Sequence, residues 1–451
     1  MAAEKDMTVG DPQKIILNFT IPVFIGNVFQ QVYSMADTVI VGKFVGTKAL
    51  AAVGATGTIN FLILGFLLGL TAGFTVLTAQ KFGAGDMESM RKTVGNAAIL
   101  SFIVAVAMTL VSMLGMRWLL TFMNTPEDII DGSYSYIFVI FLGIPATYMY
   151  NLLSGIMRSL GDSKTPLYLL IFSSILNIVL DIVLVIVFHM GVAGVSIATI
   201  FSQGVSAVLI TRALMRSDDL YQLEFRKIRF HKAALFSLLW VGCPTGIQSV
   251  LYSVTNMLIQ TFLNNLGTDT VAAWSAFGKI DSFYWMVNNA FGIAVTTFVG
   301  QNFGAGKYDR MKKSVRIGLC MGLCTALTLT LIFYNFGTPL FRLFTSDENV
   351  VSIGMQMLHH VAPAYCLFVF IELLSGALRG TGDVVIPMLI TCFGVCLLRI
   401  AWLFFIVPLS PGLNTIVLSY PVTWAITAVM FIVYYCYQAK KWPKSSAKKT
   451  A

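Results

Sequence analysis

The chain has 451 residues, of which 57% are hydrophobic and only 11% are charged. Soluble domains carry roughly a quarter charged residues, so this balance excludes an ordinary water-soluble protein. The net charge of +9 would suit a nucleic-acid-binding protein, but the placement of the basic residues described below argues against that class.

Apolar blocks longer than the roughly 20 residues that a helix needs to cross a bilayer recur along the chain. Examples are 59–79, 167–188 and 384–407. The pattern predicts an all-α integral membrane protein with twelve transmembrane helices and an uncleaved N-terminus. In chain order the predicted spans are 15–41, 53–80, 94–116, 133–157, 166–188, 191–214, 234–262, 271–299, 314–336, 352–378, 384–407 and 413–437.

The basic residues indicate the orientation of these spans. With a cytoplasmic N-terminus, 24 of the 30 Lys and Arg residues fall on cytoplasmic segments and four fall on outer loops. This is the asymmetry expected of a multi-pass protein of the cell membrane, and it predicts that both termini are cytoplasmic. The basic excess is therefore explained by topology, and no nucleic-acid partner is expected.

The chain contains an internal duplication. Residues 80–94 resemble 301–315, and residues 152–162 resemble 373–383, both at an offset of 221. Six crossings per repeat give both halves the same orientation, so we predict two pseudo-symmetric six-helix bundles with their axis along the membrane normal. The predicted first bundle, cytoplasmic linker, second bundle and basic cytoplasmic tail are 15–215, 216–232, 233–437 and 438–451.

The repeated polar motifs have a structural interpretation. The Gly-Ala-Gly segments are interpreted as tight turns whose glycines accept left-handed dihedral angles. Arg158 and Arg379 each end a span before a Gly-Asp turn and are interpreted as helix C-terminal caps, with a gate-closing role as the alternative.

The first predicted helix carries a polar face inside an apolar segment. Its members follow i, i+3, i+7 and i+10 spacing and share one side of a helix; they are Asn27, Gln30, Ser34 and Asp37. A charge inside a span costs about 2.5–3.5 kcal/mol on insertion scales, so this face must meet a partner helix or a wet cavity. We expect Asn27, Gln30 and Ser34 to line a substrate cavity.

Three further polar residues are predicted to join Asp37. Asn177 and Asp181 are i, i+4 neighbours on the fifth predicted helix, and Thr199 lies on the sixth at the depth of Asp181. At about 1.5 Å per residue, Asp37 shares that half of the membrane. Oxygen ligands of these types suit Na⁺. They suit a proton equally, because burial and a like-charged neighbour favour a protonated carboxyl.

The second half lacks this cluster. The positions that match Asn177 and Asp181 are Leu398 and Trp402. A one-sided cluster favours a coupling-ion site for H⁺ or Na⁺, and the alternative is a buried polar network that fixes helix packing.

The second half has its own polar positions. Gln248, Tyr252 and Asn256 form an i+4 lane that is predicted to line the substrate cavity from the other side. Glu372 and Arg399 are predicted to pair with each other as a structural ion pair, with a second intramembrane proton site as the alternative.

The chain resembles the multidrug and toxic compound extrusion (MATE) transporters over essentially its whole length. The motifs that carry the resemblance are Met-Ala-Asp-Thr, two Gln-x-Phe-Gly-Ala-Gly segments and Leu-Arg-Gly, at 35–38, 80–85, 301–306 and 378–380. The resemblance implies two six-helix bundles that export cationic or amphipathic compounds in exchange for H⁺ or Na⁺.

Within that family the chain is similar to the DNA-damage-inducible F-like branch, whose ion site lies in the N-terminal bundle. The matching positions are Asp37, Asn177, Asp181 and Thr199. Another branch carries acidic residues on the seventh and tenth helices, where this chain has Tyr252 and Phe368, so a cation site of that type is not expected.

These observations predict a cation-coupled antiporter that exports small cationic or amphipathic molecules by alternating access. The alternative is a flippase of lipid-linked oligosaccharides or another lipid. No enzymatic activity is expected, because no catalytic or cofactor motif is found. The expected partners are the substrates, the bilayer and the coupling ion, without a cofactor or a metal other than Na⁺, and a monomer suffices.

Overall fold

The computed structural model describes residues 6–122, 127–216 and 230–443. Within these residues the regular secondary structure is helical and includes no β-strand. Ten of the described helices are long and apolar enough to cross a membrane, and a bent helix pair brings the number to eleven. The predicted all-α membrane architecture is therefore confirmed.

The eighth predicted span, 271–299, lies within a helix that is long enough to cross a membrane but less apolar than the others. That helix runs from Thr268 to Gly304 and carries Lys279 and Asp281. It is not among the ten most apolar long helices, because it combines these charges with amide side chains such as Asn288.

The first half of the chain forms long helices joined by short turns. Short π-helical segments, Val41–Val45 and Ile182–Val187, follow its first and sixth helices directly. The helices are α1 (Pro12–Ile40), α2 (Thr47–Gly83), α3 (Met87–Phe122), α4 (Glu127–Leu142), α5 (Ile144–Ser159), α6 (Lys164–Asp181) and α7 (Gly191–Arg216). Helices α4 and α5 meet at an angle of 47° and form the bent pair.

The second half follows the same plan with more interruptions. Its eleventh predicted span contains two π-helical segments, Cys392–Leu397 and Trp402–Ile406. The α-helices are α8 (Lys232–Asn264), α9 (Thr268–Gly304), α10 (Tyr308–Arg342), α11 (Glu348–Val361), α12 (Tyr365–Gly380), α13 (Val385–Thr391), α14 (Leu398–Ala401) and α15 (Leu413–Lys441).

The described chain divides into two compact units. The first contains Ile21–Ser249, and the second contains Met7–Thr20 and the chain from Val250 onward. The start of α1 is thus grouped with the second unit and the start of α8 with the first. The predicted linker falls largely on 217–229, and most of the predicted tail falls on 444–451, both outside the described residues; α15 extends to Lys441.

The backbone repeats the duplication seen in the sequence. Gly85 and Gly306 have φ angles of 71° and 68°, and Gly161 and Gly382 both have φ of 88°. These are left-handed conformations that glycine adopts without the steric cost of a Cβ atom. The interpretation of both motifs as tight turns is confirmed.

Glycines bring α2 and the start of α8 close together inside the first unit. A Cβ atom added at Gly73 would lie 2.5 Å from the Cα of Gly242, and one added at Gly69 would lie 2.6 Å from the carbonyl oxygen of Thr245. Thr245 also donates a hydrogen bond from Oγ1 to the carbonyl of Gly69 at 2.6 Å. Small residues permit such close helix packing in membranes.

Candidate functional site

The carboxyl groups of Asp37 and Asp181 face each other inside the first unit. Asp37 lies on α1 and Asp181 ends α6, and their side chains interact directly. Asp181 lies immediately before the π-helical segment Ile182–Val187, and Asp37 lies four residues before the π-helical segment Val41–Val45. Such segments are frequent at functional sites because they interrupt the regular backbone hydrogen-bond pattern.

This cluster contains polar atoms that have no hydrogen-bond partner within the part of the chain that the structure describes. They are Oδ1 of Asp37, both carboxyl oxygens of Asp181, and both side-chain amide atoms of Asn177. A buried polar group that lacks a partner costs about 1–3 kcal/mol. Two carboxylates cannot donate to each other unless a proton lies on one of them, so the arrangement calls for a proton or a cation.

Asn177 and Thr199 line a small cavity beside the carboxyl pair. Its volume is about 10 Å³, and Tyr33 and Gln203 complete its polar wall together with nearby serines. The hydroxyl of Thr199 donates to the carbonyl of Val195 at 3.0 Å, so its oxygen can still accept a bond or a cation. About 10–15 Å³ accommodates a single water molecule, which is also the scale of one small ion.

Apolar residues within about one turn of Asp37 and Asp181 along the chain take part in a buried cluster. Ile40, Val41, Val185 and Val195 form one buried cluster that joins α7 to the two π-helical segments. Charges interact more strongly in such a low-dielectric environment than in water. Of the four predicted coupling-ion residues, Asp37 and Asp181 thus meet between α1 and α6, and Asn177 and Thr199 share the small cavity between α6 and α7.

A larger cavity of about 140 Å³ lies in the same unit. Asn27 and Gln30 line it as predicted, whereas Ser34 is exposed and lies outside it. Tyr33 and Gln203 border both cavities. The larger cavity also contains Arg158, at the end of α5.

The polar residues that were predicted to line the substrate cavity from the second half of the chain do not line either of these cavities. Gln248 and Tyr252 are half-buried and Asn256 is exposed, and they line neither of the two cavities described above. Their predicted role in substrate binding stays a prediction.

The expected pair between Glu372 and Arg399 is not formed. Glu372 pairs with Arg379 at 3.3 Å, since residues seven apart lie two turns along the same helix face. Arg399 is 3% exposed and donates to Thr423 Oγ1 at 3.1 Å, with its guanidinium 3.9 Å from the Tyr420 ring centroid. Aromatic and hydroxyl groups of α15 thus hold Arg399, which has no carboxylate partner among the described residues.

Asp281 on α9 contrasts with the carboxyl pair of the first unit. It accepts hydrogen bonds from the Tyr365 hydroxyl at 2.5 Å and from Trp285 Nε1 at 2.6 Å. Both of its oxygens therefore have neutral donors, which is the pattern of a satisfied structural carboxylate.

Sequence reasoning missed several residues near the carboxyl pair. Tyr33 lies three residues after Gln30 and four before Asp37, so helical spacing already placed it on the same face. Tyr136 interacts with Asp37 and Asp181 from α4, and no sequence signal links that helix to them.

The MatE family model matches the chain twice, at residues 22–183 and 244–405. Probable multidrug resistance protein YoeA of Bacillus subtilis is 27% identical over 433 residues, covering 94% of this chain and 93% of the relative. Probable multidrug resistance protein YpnP of Bacillus subtilis is 30% identical over 396 residues, covering 87% and 88%.

Solved structures show the same fold. A MOP superfamily transporter from Pyrococcus furiosus superposes with a TM-score of 0.92 at 22% identity, covering 98% of this chain and 99% of that one. The family model covers well over half of the chain, once in each repeat. The chain belongs to the MatE family and is a multi-pass MATE efflux transporter.

Proposed function

We propose that this MATE transporter is an antiporter that exchanges H⁺ or Na⁺ for cationic or amphipathic small molecules across the cell membrane. Both termini face the cytoplasm in this proposal, as the distribution of basic residues predicts. The ion site lies in the first unit, as in the DNA-damage-inducible F-like branch that the sequence resembles.

The observation that carries the proposal is the unsatisfied carboxyl pair. Both oxygens of Asp181 and one of Asp37 have no donor among the described residues. The free-energy cost of these unsatisfied oxygens is removed by a proton shared between the two carboxyl groups. It is equally removed by a Na⁺ bound by the carboxyl oxygens together with the oxygens of Asn177 and Thr199. A packing network would instead be expected to satisfy its own members.

Coupling requires that ion binding and substrate binding favour different conformations. Tyr33 and Gln203 stand between the small cavity beside Asn177 and the larger cavity. Ion capture that moves Asp37 therefore displaces the α1 face that carries Asn27 and Gln30. Pro22, which removes a backbone hydrogen bond inside α1, lies beside the point where the chain passes from one unit to the other.

The experiment that tests the proposal is transport in everted vesicles. Ethidium and fluorescein, one cationic and one anionic dye, are supplied outside while a proton or a sodium gradient is imposed separately. Accumulation of at least one dye that follows one gradient supports the proposal. No accumulation with either gradient contradicts it.

The alternative lipid-flippase function has its own readout in the same preparation. A fluorescent lipid in one leaflet is quenched by dithionite at a rate that reports flipping. Lipid movement without gradient-driven dye transport would replace the exporter proposal with the flippase.

A further inference from the structure

The guanidinium of Arg158 is unpaired and borders the larger cavity of the first unit. Arg158 lies one residue before the end of α5 and is half-buried. Its guanidinium makes no ion pair or hydrogen bond with any described residue, although the residue lines the cavity of about 140 Å³. The predicted role of Arg158 as a helix C-terminal cap does not by itself explain why its charged side chain borders a cavity.

The duplication supplies an internal comparison. The equivalent arginine, Arg379, is neutralised by Glu372 at 3.3 Å. At the offset of 221, the position of Glu372 is held in the first half by Asn151, which also lines the cavity. The first unit therefore keeps the arginine of the motif but replaces its carboxylate with a neutral amide, and the positive charge stays uncompensated.

The rest of the cavity wall favours a negative group. No acidic side chain is found among the described residues that line it. Ser154 lies one helical turn before Arg158, and its hydroxyl has no hydrogen-bond partner among the described residues. Asn151 uses its amide nitrogen for the carbonyl of Thr147 at 2.8 Å. A guanidinium with a nearby hydroxyl donor is an arrangement that binds carboxylate and phosphate oxygens.

We propose that this cavity is an oxyanion subsite in which Arg158 binds the carboxylate or phosphate of a transported amphipathic molecule. This inference rests on the proposed export function and narrows its substrates to molecules with an anionic end, either anionic or zwitterionic. The volume resembles that of an engineered cavity of about 150 Å³ that binds benzene. The subsite therefore has room for about one aromatic ring bearing its oxyanion.

The test compares two ligands of nearly the same shape. Binding of para-fluorobenzoate and para-fluorobenzamide to the purified transporter is measured by fluorine NMR without any ion gradient. The variants are Arg158→Gln, Arg158→Lys and Asn151→Glu, the last of which introduces the carboxylate that the second unit has. Arg212→Gln, which removes an exposed arginine from the same unit, is the control for net charge.

The subsite predicts that the wild type and Arg212→Gln bind the benzoate more tightly than the benzamide. A charge-assisted hydrogen bond is worth about 10- to 100-fold in affinity. Arg158→Gln and Asn151→Glu should lose that preference, while Arg158→Lys retains part of it. Equal binding of the two ligands by the wild type, or an unchanged preference in Arg158→Gln and Asn151→Glu, overturns the inference.

A negative result in the transport experiment can be distinguished from a negative result in the binding experiment. Because binding is measured at equilibrium, a lack of gradient-driven dye transport would defeat the exporter proposal and leave the subsite result intact. The wild-type ligand comparison also needs no variant to fold.

Discussion

Asp37 and Asp181 interact directly, yet neither carboxyl oxygen of Asp181 receives a hydrogen bond from a described residue. The closest internal comparison is Asp281 in the second unit, whose two oxygens accept bonds from Tyr365 and Trp285. One unit thus satisfies its buried aspartate with protein donors, and the other leaves a carboxyl pair for a ligand.

Replacing Asn177 by leucine, the residue at the matching position of the second half, should raise thermal stability and lower coupled transport. Both side-chain amide atoms of Asn177 lack hydrogen-bond partners among the residues described, and an unsatisfied buried amide costs about 1–3 kcal/mol. The measurement is the melting temperature together with gradient-driven dye efflux. A packing role for Asn177 would give the opposite sign, a lower melting temperature, and transport reduced only in proportion to folded protein.

The glycine contact between α2 and α8 gives a pair of matched substitutions. Gly73→Ala should destabilise the transporter by about 1–3 kcal/mol through overpacking, because the added Cβ meets the Gly242 backbone. Gly57→Ala, on the same helix with nothing within 4 Å of the added atom, should stabilise it by up to about 1 kcal/mol through helix propensity. Thermal unfolding of both variants checks this, and equal effects would contradict the close contact.

The Glu372–Arg379 pair is predicted to be structural. Its side chains are 26% and 19% exposed, so removal of one partner leaves a largely buried charge and should cost about 1–3 kcal/mol. A double-mutant cycle with Glu372→Gln and Arg379→Gln should return a coupling energy of about 0.5–3 kcal/mol. If Glu372→Gln instead abolishes ion-coupled transport at unchanged stability, Glu372 belongs to a second ion site.

A pH effect is expected at the start of α3, outside the membrane-spanning segments. The backbone N–H of Ser89 donates to Asp86 Oδ1 at 3.0 Å, and the hydrogen bonds from Ser89 lower the pKa of Asp86 below its ordinary value of 3.8. This contribution to the helix start is present above the ordinary pKa and is lost as pH falls through the lowered one. Amide hydrogen exchange in the first turn should increase in that acidic range, and Asp86→Asn should remove the pH dependence. The same dependence in the variant would contradict the assignment.

Much of the architecture could be predicted because it depends on local patterns. Apolar block length gave the helices, and the Gly-Asp turns repeat at a fixed offset with matching φ angles. The rise per residue placed Asp37 and Asp181 in the same half of the membrane, and the structure brings their side chains together. Roles for these residues in transport stay predictions, because neither the fold nor the family match tests them.

The parts that sequence reasoning missed depend on which side chains meet in space. Glu372 was assigned to Arg399 across two helices, although Arg379 lies two turns away on its own helix. Tyr136 reaches the carboxyl pair from α4, which nothing in the local sequence indicates. The unpaired Arg158 could have been found by comparing repeats, since Asn151 replaces the acid at the position of Glu372.

The most direct test of the coupling site uses purified protein in proteoliposomes. Dye transport is driven by a proton gradient or by a sodium gradient, imposed separately, for the wild type, Asp37→Asn, Asp181→Asn and the control Asp281→Asn. The account predicts that wild type and Asp281→Asn respond to one gradient, and that the other two variants lose about 5- to 150-fold of that response. Gradient-driven transport that survives in both Asp37→Asn and Asp181→Asn would contradict the central claim.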